Sequence, residues 1–274
     1  MAKFSKYLYI ISALAIIIGG FFVLSKKSAE APVGEKTQIL QDLPVGNNAK
    51  EETNAPAPAS TSRDATPLRG GENILPEKNK DGEKNIPDKI LIKVPFTTQA
   101  PFANWDMLHE ESCEEASLIM LKYYLDKKPL TPDIAEKEIQ KMVKFEIKNY
   151  GDYKDTTASE TVKLAEDFYK IGNLKVVYDF QKEDLKKHLA KGNPVIVPAA
   201  GRLLGNPNFT APGPLYHNLV LVGYDGNTVI TNDPGTRKGQ GYIYNIDVLY
   251  NAIHDFPGRP ENINQGRKAM IVLE

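Results

Sequence analysis

The stretch Ser112-Cys113-Glu114-Glu115-Ala116-Ser117-Leu118-Ile119-Met120-Leu121 holds the only cysteine of the 274-residue chain. Ser112 and Glu115 have capping-box spacing ahead of an apolar run, which predicts a helix from Cys113 to about Leu125. A thiol at the first helical position lies near unpaired backbone N–H groups and the positive end of the helix dipole, and both favour thiolate. A free cysteine is equally often a small buried apolar side chain, so Cys113 alone does not establish chemistry.

Working outward, the elements follow from periodicity and breakers. Ile90–Phe96 alternates between prolines and reads as a short entry strand, followed by a loop over Thr97–Glu111. Thr131 caps a helix that starts at Pro132 and runs to about Phe145. A further helix is predicted from Thr157 to Ile171, and another from Lys182 to Lys191, ended by Gly192. Strands are predicted at 174–178, 194–199, 215–224, 228–232, 241–245 and 269–273, with a short helix at 247–254. Helices come first and strands cluster later, so the class is α+β, with N-terminal helices packed on a mostly antiparallel sheet.

A nucleophilic thiol needs a base within hydrogen-bond reach and a third group to orient that base. Of the four histidines, His217 opens the apolar run Asn218–Tyr224, a rigid support. A hairpin turning at Asp225-Gly226-Asn227 returns through Thr228–Asn232 to deliver Asp233 beside the start of that strand. Taken singly, His217 reads as a strand-edge residue and Asp233 as a turn residue of Asn232-Asp233-Pro234-Gly235. Together, at matched ends of one hairpin, they suit base and orienting acid. Acyl transfer also develops charge on a carbonyl oxygen, and Gln99, in the loop before the cysteine helix, is the candidate donor beside the Cys113 backbone N–H.

Val94-Pro95-Phe96 with Gln99, Trp105, Cys113 before a small-residue helix, His217 before an apolar strand, and Asn232-Asp233-Pro234 together resemble the bacteriocin-processing cysteine peptidases and their stand-alone relatives. The resemblance spans roughly Ile90 to Glu274 and implies a papain-like fold. It also implies Cys113 as nucleophile, His217 as base, Asp233 as orienting acid and Gln99 as oxyanion donor. Two departures stand out. The family often has Gly and Pro after the cysteine where this chain has Glu114 and Glu115, and no transporter segments follow the domain. Glu111, Glu114 and Glu115 oppose the helix-start effect unless they are held away from the sulfur.

The rest of the chain bounds the setting. Tyr7–Leu24 is an apolar stretch of bilayer-crossing length flanked by lysines, so residues 1–27 read as a membrane anchor, with a cleavable signal peptide as the rival. Residues 28–88 are rich in Ala, Pro and polar residues and read as a disordered tether, leaving 89–274 as the folded domain, placed outside the cytoplasm. A formal net charge of −1 gives no sign of nucleic-acid binding. His109 and Cys113, four apart, could share a metal only on one helix, so neither metal nor cofactor is expected. The Gly/Pro-rich loop 201–214 ends just before His217 and should overhang a cleft walled by Trp105, Tyr216 and Gly213. The expected function is a membrane-tethered cysteine peptidase acting on a peptide or protein substrate. The alternatives are a non-catalytic peptide-binding or wall-associated module and an acyltransferase using the same residues.

Overall fold

The structure is a computed structural model that describes residues 86–274. The expected anchor over 1–27 and nearly all of the tether over 28–88 lie outside the described residues. Among the described residues no helix is long and apolar enough to cross a membrane.

The seven strands are β1 (Lys89–Leu91), β2 (Leu174–Tyr178), β3 (Val195–Ala200), β4 (Tyr216–Asp225), β5 (Thr228–Asn232), β6 (Gln240–Asn245) and β7 (Ala269–Leu273). They form one sheet in the order β2-β7-β3-β4-β5-β6, with β1 on β4, and every pairing is antiparallel. β1 is shorter than the Ile90–Phe96 run predicts. Its partners on β4 end at Gly223, and Leu221 is already paired to Val195 of β3, so the edge of β4 has no further room. The crowding also explains Gly223: a Cβ there would sit 2.2 Å from the Ile90 carbonyl oxygen.

Among the described residues six α-helices accompany the sheet: α1 (Met107–Glu110), α2 (Cys113–Leu125), α3 (Pro132–Asn149), α4 (Ala158–Tyr169), α5 (Lys182–Ala190) and α6 (Ile246–Ala252). α1 falls inside the expected loop; at four residues it is too short to show periodicity, and only its cap, Asp106 accepting from the His109 N–H at 3.1 Å, betrays it. The cap read from sequence holds at Thr131; Thr157, expected as the first residue of the next helix, instead caps it, and the Thr157–Glu160 box is closed in both directions.

The predicted box at Ser112 does not form. Ser112 Oγ donates instead to the Leu108 carbonyl at 2.7 Å, satisfying the end of α1, and Glu115 turns inward. All nine residues from Cys113 to Leu121 are buried, because α2 lies against β4 on one side and against α3 and α4 on others. β4 is itself covered by both α2 and α5, which is why it reads as an unbroken apolar run rather than an alternating one.

The inward turn of Glu115 buries its carboxyl beside that of Glu146 on α3. Among the described residues no N–H or O–H reaches either Glu115 oxygen or Glu146 Oε2, so the pair closes only if one carboxyl keeps its proton. Burial, then the charges of Glu146 and Glu114, push Glu115 well up; burial pushes Glu146 up to about 8. The folded state therefore binds more protons than the unfolded chain above the ordinary carboxylate range, and stability falls as pH rises through about 8. The unfolding temperature is expected to drop by at least about 4 °C between pH 5 and pH 8. Glu115→Gln combined with Glu146→Gln should remove most of that drop in a calorimetric pH series.

Candidate active site

Cys113 is the first residue of α2 and is 6 % exposed. Its Sγ accepts from the main-chain N–H of Asn218 at 3.3 Å, which pins the start of α2 to the start of β4. The thiol donates to Glu114 Oε2 at 2.9 Å. Glu114 folds toward the sulfur rather than toward solvent because its other oxygen accepts from the Thr156 N–H at 3.0 Å. Burial, then the Glu114 charge, push the Cys113 thiol well up, so the thiolate-favouring effect expected of the helix start is outweighed.

His217 is the second residue of β4, opposite Ala199 of β3. The hairpin turns through Gly226 and Asn227, the former at φ +54°, and returns Asp233 to the His217 ring. Nε2 of His217 lies 2.7 Å from Asp233 Oδ1, with both side chains buried. Burial works against the Asp233 carboxylate, but the His217 charge, the bonds from His217 and Tyr244 and the Gly235 N–H outweigh it and hold the group below its ordinary range. As a carboxylate, Asp233 can only accept a hydrogen bond, so Nε2 carries the N–H that donates to it and the lone pair of a neutral His217 ring lies on Nδ1. The edge of the ring meets Phe209, with centroids 5.3 Å apart, and Gly235 lies so close that a Cβ there would be 2.9 Å from Cε1.

Asp233 is held from all sides. Gly235 N–H donates to Oδ1 at 3.0 Å; Tyr244 Oη and Asn206 Nδ2 donate to Oδ2 at 2.6 and 3.2 Å. Sequence reading missed Tyr244 and Asn206. Tyr244 is one residue of an ordinary strand, and Asn206 one polar residue in a loop of many, so neither carries a local signal.

Gln99 is buried, and its main-chain N–H donates to the Pro234 carbonyl at 3.0 Å, tying its loop to the turn after Asp233. Its Nε2 donates to the carbonyls of His109 and Glu110, both at 2.9 Å, while Oε1 has no partner. The backbone N–H of Cys113, within the first turn of α2, has no intrahelical acceptor.

A cleft of about 460 Å³ joins these groups, lined by Gln99, Cys113 and His217 together with Trp105, Phe209 and Tyr216. Trp105 is 39 % exposed, while Tyr216 is buried and bonded through its hydroxyl to the Thr156 carbonyl at 2.7 Å. Gly213 is not among the lining residues; at φ +86° it turns the chain so that Pro214 and Leu215 reach the cleft. Arg202, Phe209, Thr210 and Pro214 bring the 201–214 loop over it. His109 faces away from any shared site with Cys113, its two ring nitrogens lying 2.7 Å from Asp106 and 3.0 Å from Glu136. His188 is half-buried on α5, and His254 Nδ1 bonds the Gly266 carbonyl at 2.8 Å.

The model of the Peptidase_C39 like family matches residues 91–256. The fold also resembles the crystal structure of a protein assigned as a C39-like peptidase from Bacillus anthracis, at 17 % identity and a TM-score of 0.43, covering 68 % of this chain and 97 % of that one. No curated protein matches the chain significantly.

Because Asp233 depends on donors from β6 and the 201–214 loop, Tyr244→Phe removes a short bond to a buried carboxylate. The expected cost is about 1–3 kcal/mol in urea unfolding at pH 7. A loss below about 0.5 kcal/mol would show that Asn206 and Gly235 suffice.

Proposed function

The chain belongs to the Peptidase_C39 like family, and from that premise we propose that it is a cysteine peptidase in which Cys113 is the nucleophile, His217 the base, Asp233 the orienting acid and Gln99 an oxyanion donor. The observation that carries this reading is the His217–Asp233 bond through Nε2, which leaves the lone pair on Nδ1 of a ring that lines the same cleft as the buried Cys113. Nδ1 accepts the thiol proton, and the sulfur attacks the scissile carbonyl carbon. The oxyanion is met by the Cys113 backbone N–H and by Gln99, which releases one of its two carbonyl bonds to donate. The imidazolium then protonates the leaving amine as the C–N bond breaks, giving a thioester. Water, deprotonated by His217, attacks the thioester and restores the thiol.

The substrate class is a peptide or protein. The loop over the cleft supports a role in choosing it, through Arg202, Phe209 and Thr210 on one side and Trp105 on the other. We place the domain outside the cytoplasm, tethered through the apolar stretch Tyr7–Leu24 and the Ala/Pro-rich segment that follows. A non-catalytic peptide-binding reading draws on one observation, the thiol held protonated by Glu114.

Peptide-library hydrolysis by the full-length chain separates the two. Cys113→Ala and His217→Ala are expected to abolish cleavage, and Gln99→Ala to lower kcat by about 10²–10³-fold. Identical product profiles for the wild type and Cys113→Ala would defeat the enzymatic reading and leave the binding module. The location has its own test: protease added to intact cells should remove the domain, and protection from it would place the domain inside.

A further inference from the structure

Among the described residues, Glu114 is the one ionisable group in hydrogen-bond contact with the sulfur. It is 1 % exposed, its Oε2 lies 2.9 Å from Cys113 Sγ, and its Oε1 is fixed by the Thr156 N–H at 3.0 Å and more loosely by the Thr156 hydroxyl at 3.5 Å. The groups that face it are Cys113 and Glu115 on α2, Glu146 on α3, Asp155 ahead of α4, and Tyr216 on β4. Every one of them is an acid, and among the described residues no lysine or arginine pairs with Glu114.

Resting on the peptidase reading, we propose that Glu114 controls the proton on Cys113: as a carboxylate it holds the sulfur as S–H, and as a carboxylic acid it donates O–H to the sulfur and leaves it thiolate. In the arming step the Glu114 carboxylate takes one proton from solvent, forming Oε2–H, and the Sγ–H bond breaks as its proton passes to His217 Nδ1, as in the peptidase reading. The thiolate is then met by the Glu114 O–H and the Asn218 N–H, both of which stabilise it. If Glu114 then gives its proton to solvent, the thiolate faces a carboxylate at contact distance, and the sulfur takes its own proton back from His217.

The armed form thus holds one proton more than the disarmed form, so arming is lost as pH rises. The Glu114 carboxyl is pushed up to about 7, by burial and then the Asp155 charge, against the bonds from Cys113 and Thr156, which places the loss near neutrality. An ordinary thiol behaves in the opposite way, its reactivity rising steadily with pH.

Iodoacetamide labelling of Cys113 in the full-length chain, with thiolate absorbance at about 240 nm, reads this directly. The wild-type rate is expected to fall by at least about fivefold between pH 6 and pH 8. Glu114→Gln, whose amide can donate to sulfur at every pH, should show no fall and should react at least about tenfold faster than the wild type at pH 8. A wild-type rate that climbs steadily from pH 6 to pH 9 overturns the proposal without any variant, so a misfolded Glu114→Gln does not protect it. Superimposable pH profiles of the wild type and a folded Glu114→Gln overturn it as well. Labelling needs no substrate, so cleavage without the fall removes the gate alone, and the fall without cleavage removes the peptidase reading alone.

Discussion

The constraint on which the rest depends is the burial of α2 from its first residue. A helix start carries unpaired N–H groups that ordinarily turn to water, yet here Cys113 is covered and its sulfur takes the main-chain N–H of Asn218. That bond ties the first residue of α2 to the first turn of the path along β4. Because His217 precedes Asn218, the strand that anchors the sulfur also delivers the imidazole. The register between β4 and β3, with Ala199 opposite His217, then fixes the ring's height on the sheet, and the β4–β5 hairpin fixes that of Asp233.

Burying that end of the helix takes carboxyls with it. Among the described residues, Glu114, Glu115 and Glu146 are all buried without a lysine or arginine partner, and Asp155 is pushed up to about 6 by burial and then by Glu111. Proteins meet such a demand by pairing or by keeping protons on. Both solutions appear here. Asp233 is paired and hydrogen-bonded as a carboxylate, whereas burial of Glu115 beside Glu146 pushes both toward keeping a proton. The two kinds of acid titrate in opposite directions: Asp233 adds stability that is lost as pH falls through its lowered value, and the glutamates add stability that is lost as pH rises. Their overlap leaves a mildly acidic window of greatest stability.

Much of this was legible in the sequence, for identifiable reasons. The α+β class, the cysteine helix and the β4–β5 hairpin rest on periods and turn residues that act locally, and these elements formed where predicted. The cap at Thr131 is equally local, whereas the box at Thr157 went unread although Glu160 stands at the right spacing. The box at Ser112 fails because a tertiary demand, the Leu108 carbonyl at the end of an unforeseen short helix, outbids it for the hydroxyl. The same limit hid Tyr244 and Asn206, whose value lies wholly in where a distant carboxylate stands. Gln99 was legible as a residue near the cysteine, but its engagement with the carbonyls of His109 and Glu110 was not, since α1 itself was invisible.

The 201–214 loop serves two masters. Its residues Arg202, Phe209 and Thr210 face the cleft, and its Asn206 grips Asp233 while Phe209 leans on the His217 ring. In most scaffolds a surface loop can be exchanged to suit a new ligand while the framework beneath is left alone. Here the segment freest to diversify also braces the His217 ring and Asp233, so a transplanted loop of different sequence would change what enters the cleft and slacken both side chains in one move. An exchange of this loop that keeps the site intact would therefore have to keep Asn206 and an aromatic ring at Phe209.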